Sequence, residues 1–87
     1  MAIFVDNLSF GVTDRELCKV FRQYGLVKEI QISDGFDTRH AFTFAFVEMA
    51  TVKAEKAAIE GLRKFNLLGR ELILSQSQVS ASILTLD

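Results

Sequence analysis

The chain has 87 residues, which suits one small domain, and its 49% hydrophobic and 24% charged content excludes a disordered chain. Ten Lys and Arg stand against 11 Asp and Glu, for a net charge of −1. That balance excludes a broadly basic surface, so any phosphate-binding patch must be local.

"AIFVD" (2–6) is β-branched and aromatic, the composition of a strand, and "NLSFG" breaks it. "VTDRELCKVFRQYG" reads as a helix with Thr13 as N-cap. Glu16 lies three residues on and completes a capping box, with Val12 and Leu17 placed as the hydrophobic staple. Leu17, Val20, Phe21 and Tyr24 make one apolar stripe, and Gly25 is the stop.

"LVKEIQI" (26–32) predicts a second strand, and "SDGFDTRH" (33–40) predicts a loop from its turn residues. "AFTFAFVEM" is the third strand. Thr51 caps a second helix expected to run to about Lys64. Its Ala54, Ala58 and Leu62 stack at helical spacing with Ile59 beside them, and small alanines allow close approach to a sheet. "NLLG" turns, and "RELILSQ" (70–76) predicts the fourth strand. The order is β-α-β-β-α-β. Right-handed crossovers then give a four-stranded antiparallel sheet with both helices on one face, an α/β sandwich of the α+β kind.

"FTFAFVEM" (42–49) has no polar side, although its side chains alternate between faces. The helices need an aliphatic surface, which Ile3, Val5, Val27, Ile30, Ile32, Ala45, Val47, Leu72 and Leu74 supply. Phe42, Phe44 and Phe46 then point away from the helices, and so does Phe4 between Ile3 and Val5. An exposed aromatic cluster marks a binding surface, and flat rings on an open sheet suit nucleobases.

These same residues resemble the RNA recognition motif (RRM) family. "IFVDNL" (3–8) looks like its RNP2 motif and "FTFAFVEM" like its RNP1 motif. The helix ending "QYG" and the stretch "LLGRELIL" are similar as well, so the resemblance covers about residues 2–76. It implies the ferredoxin-like arrangement already read from the pattern. It also implies that Phe4, Phe44 and Phe46 stack bases, as two or three aromatics do in that family. The departures are Phe42 in place of Lys or Arg, Thr43 in place of glycine, and Met49 in place of an aromatic. A peptide-binding variant of the fold carries Arg-x-Phe before its last strand. Arg70-Glu71-Leu72 lacks the Phe.

The expected function is binding of single-stranded RNA within an RNA-processing or RNA-regulatory protein. Phe4, Phe44 and Phe46 are the stacking residues. Asp6, Glu29, Gln31, Glu48, Ser75 and Gln76 are candidates to read base edges. Arg39 and His40 are candidates to meet phosphate, with Lys28 and Arg70 behind them. Low basic charge predicts weak affinity for the domain alone. The alternative is a protein-interaction domain whose sheet or helix face docks a partner, a dimer mate or a neighbouring RRM.

No catalytic pattern, cofactor motif or metal set stands out, and the loop arginine and Cys-x-x-Cys of enzymes and metallochaperones with this topology are absent. Cys18 is single, no run is long enough to span a membrane, and no signal peptide is evident. A nuclear location is expected, with the cytoplasm as a second setting. Residues 1–76 form the expected domain. Residues 77–87 form an extension or begin a following domain, because "LTLD" (84–87) echoes the first strand, as in tandem RRMs of paraspeckle-type and raver-type proteins.

Overall fold

The computed structural model describes residues 2–36 and 41–77. The first helix, α1 (Asp14–Phe21), starts as its capping box requires. Glu16 N–H donates to Thr13 Oγ1 at 3.2 Å, and Thr13 N–H donates to Glu16 Oε1 at 2.9 Å. Val12 and Leu17 are both buried beside the cap. A 3₁₀ turn (Arg22–Tyr24) tightens the end of α1 before Gly25.

Strands β1 (Ala2–Leu8), β2 (Val27–Phe36) and β3 (Ala41–Met49) and helix α2 (Val52–Gly61) follow the expected order. Then come two short strands, β4 (Asn66–Leu67) and β5 (Arg70–Glu71), and finally β6 (Ile73–Ser77). The main sheet has four antiparallel strands in the order β2-β3-β1-β6. The β-α-β-β-α-β arrangement expected from the sequence is therefore the fold. Of the expected extension at residues 77–87, Ser77 ends β6 and residues 78–87 lie outside the described residues.

One core forms between the sheet and the two helices. Ile3, Val5, Ala45 and Val47 are fully buried there, against Leu17 and Phe21 of α1, Ala58 of α2 and Leu62 just beyond it. Parity makes this possible, because directly opposed residues share a face and Ile3–Val47–Ile30 runs across three strands. Val27 and Ile30 break simple alternation, yet both pack against the core. A bulge between Val27 and Glu29 takes up the extra residue and pushes Lys28 outward. A second bulge between Val5 and Leu8 returns Leu8 to the core. Asn7 sits inside it at φ 64, a conformation that asparagine tolerates better than most residues.

Three boundaries differ from expectation. The predicted loop begins four residues late, because Ser33, Asp34, Gly35 and Phe36 continue β2 opposite Phe44, Thr43, Phe42 and Ala41. Thr43 is buried, and its hydroxyl donates to Asp34 Oδ1 at 2.7 Å. That bond holds a turn-prone residue in the ladder, so cross-strand pairing overrides local preference. Helix α2 ends at Gly61 rather than Lys64, which adopts φ 64. The predicted last strand is split. Leu68 and Gly69 both have positive φ, at 53° and 86°, and this two-residue turn pairs β4 with β5 as a separate hairpin. Leu72 then drops into the core before β6 begins beside β1.

Candidate nucleic-acid interface

The face opposite the helices carries rings in rows. Phe4 and Phe46 are directly opposed on β1 and β3, flanked by Gln31 on β2 and Ser75 on β6. One step along, Ser33 faces Phe44, and Asp6 faces Ile73 across β1 and β6. At the far end Gly35 faces Phe42, and at the near end Glu29 faces Glu48.

The rings touch one another. Phe4 lies 5.2 Å from Phe46 and 5.7 Å from Phe44, tilted by 54° and 43°. Phe44 meets Phe46 edge-on at 6.2 Å and 84°, and stacks with Phe42 at 6.1 Å and 18°. Such contacts favour offset or edge-to-face pairs because the ring face is negative and the edge positive. Phe4, Phe44 and Phe46 are half-buried by their neighbours, whereas Phe42 is 44% exposed. The array thus offers π-faces held in place by each other.

Charge is sparse here. Asp6, Glu29 and Glu48 are acidic, and Asp6 Oδ1 accepts the Asn7 N–H at 2.8 Å. Lys28 Nζ pairs with Glu48 at 3.4 Å, which relieves the opposition of Glu48 and Glu29. Arg70, on the β5 strand of the separate hairpin, meets the β1 bulge. Its Nη1 donates to Asn7 Oδ1 at 3.0 Å, and Asn7 Nδ2 donates to the Glu71 carbonyl at 2.8 Å. Asn7 therefore ties the β1 bulge to the β4–β5 hairpin, as Ser9 does by donating to the Leu68 carbonyl at 3.0 Å.

The candidates read from the sequence largely converge. Phe4, Phe44, Phe46, Gln31, Ser75, Asp6 and Glu48 share this face. Gln76 does not. It pairs with core-facing Ile3, so it lies on the helix side of β6, the same parity as Leu74. Arg39 and His40 lie outside the described residues. Ser33, within the predicted loop, and Ile73, which is 57% exposed, also share this face and are not among the candidates read from the sequence. The signal for Ile73 was present, since a residue between inward Leu72 and Leu74 must point outward. Among the described residues there is no cluster of three or more His, Cys, Asp or Glu that could hold a metal.

Comparison with known proteins agrees with this geometry. The model of the RNA recognition motif family matches residues 3–73. The chain is 40% identical over 78 residues to a Nostoc protein named as an RNA-binding protein, RbpF, covering 90% of this chain and 74% of RbpF. It is 37% identical over 78 residues to the similarly named RbpA of Synechocystis, covering 90% of this chain and 77% of that protein. A crystal structure of the RNA-binding protein PG1 superposes with a TM-score of 0.79 at 31% identity, covering 92% of this chain and 96% of that one.

Proposed function

Given that this chain belongs to the RNA recognition motif family, we propose that its open sheet face binds single-stranded RNA by stacking bases on Phe4, Phe44 and Phe46. The observation that carries the reading is the contiguous ring array at 5.2–6.2 Å spacing on the face that neither helix covers. An aromatic patch of this kind is costly in water unless it serves an interface. Every base has a π-face, so stacking is tolerant of sequence, at roughly 1–3 kcal/mol per base. Gln31, Ser33 and Ser75 border the rings and offer donors and acceptors to base edges. RNA-binding names among the cyanobacterial relatives support the same reading. Because those relatives come from cells without a nucleus, a nuclear location is not part of the proposal.

The acids on the face make phosphate contacts few, so the domain alone binds weakly and with a shallow salt dependence. An NMR titration with a randomised tetranucleotide RNA tests the reading. Shifts should centre on Phe4, Phe44, Phe46, Gln31 and Ser75, and the Phe44→Ala, Phe46→Ala pair should remove them while the amide spectrum stays folded. A sheet that does not respond at millimolar RNA would sink the proposal and leave the face to a protein partner.

A further inference from the structure

The face that stacks bases is poor in cations, yet cations are concentrated elsewhere. Of the ten Lys and Arg in the chain, four line one open groove of about 800 Å³ between α1 and β2: Arg15, Lys19, Arg22 and Lys28. Asp14 and Glu29 are the acids along it, so the groove is net positive in a chain of net charge −1. Arg15 and Lys19 are four residues apart on α1, and Arg22 follows after three more in the 3₁₀ turn. Residues three and four apart share one helix face at a spacing of about 5–6 Å, so these side chains form a single line. All three are exposed, and none forms an ion pair among the described residues.

The groove adjoins the near end of the ring face at Glu29, which lines the groove and faces Glu48 across β2 and β3. Strand β2 is an edge of the sheet, and it supplies Lys28, Glu29 and Ile30 to the groove. Lys28 stands on the rim, pushed outward by the β2 bulge, and its ammonium reaches Glu48. A strand leaving the rings along β2 therefore passes Gln31 and the Glu29–Glu48 pair, then meets Lys28 and the α1 line.

We propose that this groove binds the phosphate backbone of single-stranded RNA beyond the bases stacked on the sheet. It would supply cations at the Glu29–Glu48 end of β2, the end opposite Phe42. The inference rests on the stacking proposal for the direction of approach, but the two fail separately. Adjacency to the ring face favours RNA over an acidic peptide, which would have no reason to share the β2 edge.

The test compares fluorescent randomised RNAs of 4 and 12 nucleotides. The Arg15→Glu, Lys19→Glu, Arg22→Glu triple variant is set against a control of equal charge change, Lys53→Glu, Lys56→Glu, Lys64→Glu, with circular dichroism confirming that both fold. The α1 triple should lose at least tenfold in affinity for the 12-mer and under threefold for the 4-mer. Its log–log salt slope on the 12-mer should fall by about 2, at roughly 0.7 per phosphate. The control should shift both lengths by less than threefold. Equal losses in the two triples, or equal losses for the two lengths, would overturn the groove. So would poly-glutamate competing at the groove as tightly as the 12-mer. If the wild type ignores the 4-mer but binds the 12-mer through α1, the stacking proposal fails and the groove stands.

Discussion

The ring of Phe42 packs over Gly35, its directly opposed partner across β2 and β3. A methyl group on Gly35 would come closer than van der Waals contact to the outer edge of that ring. A cross-strand aromatic over a glycine restores the packing that glycine lacks. Phe42 therefore has a packing role at the position where the family motif has a cation. Phe42 is seated on one strand neighbour and stacked on Phe44 at 6.1 Å. Gly35→Ala should therefore lower the melting temperature by about 4–8 °C, the shift that ~1 kcal/mol produces in a domain of this size. In a Phe42→Ala background the same change should cost nearly nothing. Additive losses in this double-mutant cycle would show that the two residues do not share a seat.

Phe42→Lys should convert the face toward the family pattern. Gly35 leaves room beside the new stem, and an ammonium there would add one phosphate contact. Affinity for a randomised tetranucleotide should rise several-fold, and the salt slope should steepen by about 0.7. Binding assays at four salt concentrations check this. Unchanged slope with unchanged affinity would mean that no phosphate passes this end of the sheet.

Local chemistry made much of the fold legible. The Thr13–Glu16 box needs only three residues of spacing, and the inward set of Ile3, Val5, Ala45 and Val47 needs only period two. Period two also identifies Phe4, Phe44 and Phe46 as one face. What was not legible depends on partners distant in the chain. Gly35 reads as a turn residue until Phe42 and the Thr43–Asp34 bond hold it in a strand. Gln76 is an exception, since period two alone puts it on the helix side with Leu74 and apart from Ser75. Helical spacing alone lines up Arg15, Lys19 and Arg22, but only the packing of α1 against β2 brings Lys28 to them.

Glu55 on α2 is the one charged residue in the buried layer among the described residues, at 2% exposure, with Oε1 lacking any hydrogen-bond partner. Burial raises its pKa from the ordinary glutamate value, a backbone hydrogen bond at Met49 opposes this, and the Glu48 charge adds to it. The folded state therefore holds this proton more tightly than the unfolded chain does. Glu55 contributes nothing to pH dependence below the ordinary carboxylate range, where it is neutral in both states. As pH rises from that range to the folded value, the unfolded state ionises first and stability falls. Above the folded value the loss is constant. Thermal melts of wild type and Glu55→Gln from pH 4 to pH 7 should diverge, with the variant keeping more of its acid-pH stability. Parallel curves would show that the carboxyl finds solvent or a partner.

Asn7 tests whether a strained residue holds the edge of the site. Its φ of 64 costs a residue with a Cβ about 1–2 kcal/mol, unless the side chain compensates. Asn7 compensates with two bonds, to the Glu71 carbonyl at 2.8 Å and from Arg70 at 3.0 Å. Asn7→Gly keeps the backbone at ease and loses both bonds. Asn7→Ala loses both and keeps the strain. Stability by urea unfolding should rank wild type, then Asn7→Gly, then Asn7→Ala, with ~1 kcal/mol between the two variants. Both should release Arg70 and Glu71, seen as faster amide exchange in the β4–β5 hairpin than in β3. If the alanine variant matches the glycine variant, the left-handed backbone is not what positions the β1 bulge. Arg70 would then owe its place beside the β1 bulge to the hairpin alone.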